Sequence, residues 1–369
     1  MNSQLPYQIA LTLLPGIGPV KIRPLLSQFT PQELFQLDPD NLKEIGQVSH
    51  KCIMALHSFK NWKRVEEEIT FIEKNKITTR FISDQDFPFR LKECNDAPLL
   101  LYGKGSADLN AKRILAIVGT RSNTAWGRKF TNDLIEALQI ANITIVSGLA
   151  YGIDSIAHQQ ALLQKIPTIA VLAHGLDRIY PWVNRKLAQE IIEQEGCLLT
   201  ECKQSEKTDT YLFPKRNRIV AGLSDATLVI ESNEKGGSLI TAALAWGYHR
   251  TVFAVPGKPG DPKSSGCNLL IKNQKAQLIT GAPDIHYWMN WPLESSTSLS
   301  KSEESKSKSG PLTTYESQII ELLTQQNEIH GDELLHKTGC TSGELAASLL
   351  NLSLAGLIVS LPGHRYQLS

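Results

Sequence analysis

With 369 residues, 41% of them apolar and 20% charged, the chain has the make-up of ordinary globular protein and the length for two or three domains. It holds no run of about 18 apolar residues, and Met1 to Leu14 carries no basic residue ahead of its apolar ones, so neither a membrane span nor a signal peptide is expected, and the expected location is cytoplasmic. The net charge of +1 speaks against a uniformly basic nucleic-acid binder, but it conceals an uneven distribution along the chain.

Residues 1–75 read as short helices with tight turns, a small helical domain of helix-hairpin-helix or sterile-alpha-motif-like type. Its pointed feature is LPGIGPVKIRPLL, Leu14 to Leu26, where a Gly-x-Gly hairpin between two helices presents backbone N–H groups at a helix start. The stretch from Phe35 to Leu56, centred on Ile45-Gly46, reads as a degraded second copy. Such hairpins bind phosphate or simply pack. Residues 1–111 carry 13 basic and 13 acidic side chains, so the electrostatic attraction on which phosphate binding depends is missing and packing is favoured.

Residues 76–290 form the middle domain, and 112–290 carry 20 basic against 15 acidic groups, a balance of +5. After a strand-rich approach (Thr78–Ile82, Leu99–Tyr102), apolar runs appear at Ile114–Val118, Ile143–Val146, Thr168–Leu172, Cys197–Thr200, Thr227–Ile230 and Val252–Val255. Helical patterns at Arg128–Ala141, Ser155–Gln164, Arg185–Glu195 and Leu239–Trp246 separate most of them. Strands apolar throughout, alternating with helices, predict a doubly wound α/β fold with a parallel sheet covered on both faces. Ligands of such folds lie at the carboxyl ends of the strands, where the glycine-rich loops of this chain also fall.

Four of those loops carry chemistry. In VGTRSNTAWG, Gly119 and Thr120 allow close backbone approach, Arg121 offers a planar fork suited to phosphate, and Ser122 can donate hydrogen bonds. The loop lacks GxGxxG, so no NAD and no other cofactor is expected. In VSGLAYGIDSIAH, Asp154 is placed to cap the following helix and His158 reads as a buried structural histidine. The stretch YLFPKRNRIVAGLS sets Lys215, Arg216 and Arg218 with Asn217 beside Phe213, after the loop that follows the fourth strand. Cations for phosphates and an aromatic face for an unstacked base make a reader of single strands, although Phe213 in the core and a solvated basic face would use the same residues. Finally Gly237 and Ser238 of EKGGSLITAALAWG open a helix whose free N–H groups form an anion site, and Lys258 and Lys263 in the next loop can extend the basic surface.

Taken in order, GTRS, SGLAYGIDSIAH, FPKRNRIVAGLS and GGSLITAALAWG closely resemble the DprA/Smf family of DNA-processing proteins, over residues 80–290. The resemblance implies a Rossmann-like domain that binds single-stranded DNA, a homodimer formed through that domain, and loading of RecA recombinase during natural transformation. Trp126 departs from the tyrosine frequent in the family, and Gly236 from a frequent serine; neither change removes a charge. An enzyme of the phosphoribohydrolase type, or a nucleotide-sensing regulator, is the alternative for such a fold. The PGGxGTxxE signature of those enzymes is replaced here by KGGSLITAA, without the acidic residue, and no nucleophile–base pair can be assembled. A non-catalytic protein is therefore expected.

The stretch ESSTSLSKSEESKSKSGP, Glu294 to Pro311, is almost wholly Ser, Lys and Glu, and residues 291–311 read as a flexible linker. Residues 312–369 follow as helices at Tyr315–Gln325, Gly331–Thr338 and Ser342–Ala355 and a β-wing, a winged-helix pattern. This domain holds only Lys337 and Arg365 against six acidic groups, and its third helix has no Lys or Arg, so a contact with protein is favoured over one with DNA. The six cysteines, at 52, 94, 197, 202, 267 and 340, fit neither a disulfide scaffold nor a metal site and read as reduced thiols.

Overall fold

The N-terminal helices follow from their start and stop signals. Helix α1 (Leu5–Thr12) and helix α2 (Pro19–Leu26) are joined by a turn in which Gly16 takes φ +68° and extended Gly18 precedes the proline that begins α2. Helix α3 (Pro31–Gln36) opens on a capping box: Thr30 accepts from the Glu33 N–H at 3.3 Å, and the Glu33 carboxylate accepts from the Thr30 N–H at 2.7 Å. Helices α4 (His50–His57) and α5 (Trp62–Lys74) follow, and edge-to-face and tilted contacts join Tyr7, Phe35, Phe59 and Trp62. Arg23, one of two cations in the hairpin motif, donates to the carbonyls of Lys92, Cys94 and Asn95, and so ties α2 to the next segment.

This computed structural model describes residues 3–38, 49–138, 143–206, 209–291, 313–326, 328–354, 357–361 and 365–368. The expected second hairpin centre, Ile45-Gly46, and the expected linker beyond residue 291 lie outside the described residues. The chain divides into two compact units, Met1–Ser296 and Thr297–Ser369. No helix among the described residues is long and apolar enough to cross a membrane.

The first unit continues through strand β1 (Thr78–Phe81), helix α6 (Phe89–Lys92) and strand β2 (Leu100–Gly105). Then β and α alternate: β3 (Ile114–Val118), α7 (Ala125–Leu138), β4 (Thr144–Ser147), α8 (Ile153–Leu163), β5 (Thr168–Val171), a 3₁₀ turn at Trp182–Asn184, α9 (Arg185–Glu193), β6 (Cys197–Thr200), α10 (Leu212–Leu223), β7 (Ala226–Val229), α11 (Gly237–Gly247), β8 (Thr251–Ala254), α12 (Ser265–Lys272), β9 (Gln277–Leu278) and α13 (Ala282–Met289). The nine strands form one sheet in the order β1-β2-β6-β5-β4-β3-β7-β8-β9. Pairing is parallel from β6 to β9, while β1 and β2 run antiparallel at one edge. The doubly wound fold expected from the alternation is the fold observed.

Strands β3 to β7 are buried at every residue, as a parallel sheet covered on both faces requires. Alternation along β3 divides the core: Ile114, Ala116 and Val118 join one cluster, Leu115 and Ile117 the other. The first cluster runs on without a break to Ile9, Ile22 and Leu25, so the N-terminal helices share a core with the sheet. All six cysteines are free and buried.

The second unit holds α14 (Thr314–Gln325), β10 (Ile329–His330), α15 (Gly331–Thr338), α16 (Ser342–Leu354), β11 (Ile358–Leu361) and β12 (Arg365–Leu368), with strand order β10-β12-β11. This is the expected winged helix. The two cations of residues 312–369 face carboxylates, Lys337 to Glu333 at 2.7 Å and Arg365 to Glu328 at 3.1 Å.

One ion pair locks α6 to the sheet. Buried Arg90 donates to Asp225 at 2.6 Å, and the other Asp225 oxygen accepts from the Ile114 N–H at 2.8 Å. Asp225→Ala leaves that guanidinium uncompensated and should lower unfolding free energy by about 3 kcal/mol. Asp225→Asn, which keeps an acceptor for Ile114, should lie between the two; urea midpoints measure the series.

Candidate nucleic-acid groove

Strand β3 pairs with β4 on one side and β7 on the other, and the chain winds away from it in both directions. At such a switch point the loops leaving the carboxyl ends part and leave a crevice. Two glycines let those loops interlock. Gly152 has φ +76°, and a side chain there would stand 2.2 Å from the Thr120 carbonyl; one on Gly119 would stand 2.5 Å from Ile153. The Ile153 N–H donates to Thr120 O at 3.2 Å, and the Thr120 N–H to Glu231 O at 2.7 Å. The β3, β4 and β7 loops are thereby one surface, with Arg121 exposed on it.

The FPKRNR segment, expected beyond a loop, is the first half of α10, a helix absent from the elements predicted above. Its helical period parts the cations. Phe213, Arg216, Asn217 and Val220, at spacings of three and four, line the crevice. Lys215 and Arg218 lie three apart on another side and converge on Glu201, at 3.5 and 2.5 Å, with Arg218 also donating to Asp96 O. The single track through Lys215, Arg216 and Arg218 suggested by the sequence is therefore divided by the helix, and Arg218 is a buried structural ion pair.

Arg216 is itself buried, 5% exposed at the floor of the crevice. It donates to the carbonyls of Gly148 and Val171, at the ends of β4 and β5. Asp154 is its counter-charge. Burial pushes the Asp154 carboxyl up against the opposing pull of Arg216, and burial pushes the Arg216 guanidinium down against that of Asp154. The helix α8 cap is Gly152 rather than Asp154, whose carboxylate turns back to accept from the N–H groups of Gly148 at 3.2 Å and Ala150 at 3.4 Å. His158, one turn on, is wholly buried as expected, its Nδ1 2.7 Å from Thr168 Oγ. Burial, with the Arg216 charge, lowers its pKa to about 3.

Above this floor stands an aromatic and cationic rim. The Arg121 guanidinium lies over the Phe213 ring at 5.4 Å, and the Tyr180 ring stands 5.9 Å from that of Phe213. Tyr180 is held by its N–H, which donates to His174 Nε2 at 3.1 Å, while His174 Nδ1 faces Gly175 O at 2.9 Å; burial lowers the His174 pKa and keeps Nε2 an acceptor. On the far side α11 begins at Gly236-Gly237-Ser238 with no side-chain cap, and nothing lies within 4 Å of a side chain built on Gly237. Its first N–H groups and exposed Lys235 face the crevice.

Helix α7 offers no such end. Glu231, 3% exposed, accepts from Thr124 N–H at 2.9 Å and from Thr124 Oγ at 2.5 Å and fills its start. Gly119, Thr120, Arg121, Phe213, Arg216, Asn217, Gly237 and Ser238 thus share one groove of about 610 Å³. Ser122 stands outside the lining, holding Lys263 Nζ at 2.5 Å. Sequence reasoning passed over Tyr180, His174, Glu231 and Lys235. Lys235 could have been read from its place before the glycines, whereas the others needed the order of the strands between β5 and β7 to be known. Among the described residues no group of three or more His, Cys, Asp and Glu side chains is placed to hold a metal.

The family model for DNA recombination-mediator protein A matches residues 78–290, more than half of the chain, and that for the DprA winged helix domain matches residues 303–364. The chain belongs to the DprA/Smf family. Protein Smf of Synechocystis sp. is 32% identical across 99% of both chains. The X-ray structure of DNA processing protein A from Streptococcus pneumoniae superposes with a TM-score of 0.65 at 32% identity, covering 76% of this chain and 97% of the other. The DprA structure from Helicobacter pylori, solved to explain that protein's single-stranded DNA binding mode, gives 0.53 at 31% identity over 58% of this chain and 96% of the other. Both DprA matches carry the Rossmann-like fold on which the groove is built.

The groove floor makes stability depend on pH. His158 stays neutral in the folded chain down to about pH 3, but takes a proton near pH 6.5 when unfolded. Its contribution is therefore complete above pH 6.5 and lost as the pH falls toward 3. His174, lowered by burial, acts in the same direction. Below pH 6.5 His158 should add a slope approaching about 1.4 kcal/mol per pH unit, and His174 a contribution of the same sign. Urea unfolding at pH 7, 6 and 5 should show this decline, and His158→Gln should remove one histidine's share of it.

Proposed function

We propose that this protein binds single-stranded DNA in the switch-point groove, without catalysis, and delivers the strand to RecA recombinase during natural transformation, acting as a homodimer through its Rossmann-like domain. The observation that carries the reading is the juxtaposition of Arg121 on the Phe213 ring with the open start of α11 across the same groove. Splayed bases can stack on the aromatic face while phosphates meet Arg121, Lys235 and the free amides. A duplex keeps its bases stacked and hidden, so it gains only the charge contacts. The Helicobacter pylori relative and the recombination-mediator family model support the same assignment. Exposed Leu278, Tyr287 and Trp288 at the β9–α13 end favour self-association of this domain. The winged helix, residues 312–369, whose two cations are already paired, is assigned contacts with protein instead of DNA.

Binding of labelled oligothymidylate to the whole chain tests this. Single strands should bind more tightly than duplex of equal length at physiological salt, with little sequence preference. Arg121→Ala should weaken binding and lower the salt slope by about one, and Phe213→Ala should cost about 1–3 kcal/mol of stacking. Lys337→Ala is the control and should bind like the parent. Incubation with nucleoside monophosphates should release no free base. Equal affinity for single strand and duplex would replace the groove by a plain cationic surface. A control variant as weak as Arg121→Ala would restore the winged helix as a DNA-binding element.

A further inference from the structure

A second aromatic–cation pair lies just beyond the groove. Tyr180 lines the groove, and Trp182, two residues on and so at most about 7 Å away along the chain, points out of it with 68% of its surface exposed. The Arg185 guanidinium lies 4.8 Å from the Trp182 ring centroid. The pair repeats the Arg121–Phe213 arrangement one step along the rim. Trp182 and Arg185 open a cleft of about 1120 Å³ between α9 and the β2–β6 edge. Its charged lining residues are Lys104, Arg178, Arg185 and Lys186 against the single carboxylate Asp177. Arg178 is engaged with Asp177 and the Glu206 carbonyl, and Lys186 stands 3.5 Å from Glu190 with its side chain 90% exposed.

Nothing in the core needs a tryptophan here. Its large face is left in water, backed by a cation, at the mouth of a basic cleft. An apolar protein partner would meet that cleft at the cost of desolvating its cations, whereas a strand brings phosphates to them and a base to the ring. From this geometry we infer that Trp182 and Arg185 form a second stacking platform, on which a single strand leaving the switch-point groove continues into the cleft toward Lys104. The inference rests on the single-strand reading above and extends the bound length beyond that groove.

The test measures affinity of the full chain for oligothymidylates from about 4 to about 16 nucleotides, the span of known single-strand site sizes. The parent protein should gain affinity with length. Trp182→Ala should flatten that gain, with a loss concentrated on the longer strands and reaching about 5- to 100-fold. Trp182→Phe, which restores an aromatic face, should recover most of it, and Arg185→Ala should lower both the gain and the salt slope. Arg121→Ala should lose affinity at every length. If Trp182→Ala binds every length like the parent while Arg121→Ala fails, the second platform is overturned and the groove stands. If the parent binds no single strand, both readings fall. A Trp182→Ala protein with unchanged DNA affinity but an altered sedimentation coefficient would overturn the platform and assign Trp182 to an interface between copies.

Discussion

The groove depends on a cation buried in its floor. Arg216 sits under the carboxyl rim and donates to the ends of β4 and β5, while Asp154 neutralises it and ties down the loop between β4 and α8. Three separate chain segments are therefore fixed by one guanidinium with five donors and a rigid plane. Removing either partner would strand a buried charge, which costs more than the pair itself contributes. The positions of Arg121, Phe213 and Tyr180 follow, because each lies on a segment next to one that Arg216 or Asp154 holds.

The architecture was legible because its signals are redundant. Strands with apolar centres alternating with helices, the glycine hairpin at Gly16 and Gly18 and the bare helix start at Gly237 each have one physical solution, and the structure adopts it. The site was legible in composition but only partly in arrangement. Helix α10 went unread because Pro214 stands in its first turn, where proline is tolerated, and beside a run of cations it looks like loop. Without the helix, nothing distinguishes Lys215 from Arg216. With it, the period of 3.6 sends Arg216 inward with Phe213 and turns Lys215 and Arg218 to Glu201. Tyr180 was out of reach for a different reason: its approach to Phe213 joins residues 33 apart in the chain, and no local pattern encodes that.

Charge was informative region by region, and the net value of +1 was not. The +5 of residues 112–290 overstates the cations available to a ligand, since Arg216 and Arg218 are buried and Arg250 serves an ion pair with Glu93. What remains at the rim is sparse but well placed. The winged helix shows the opposite case, where a fold common among duplex readers carries a third helix without one cation.

The two helices that start at the switch point are treated unequally: Glu231 stoppers one from within, and the other is left bare. The groove consequently has a positive side that is backbone and an opposite side that is aromatic. By sealing one helix and baring the other, the fold gives the groove two walls that cannot be exchanged for one another.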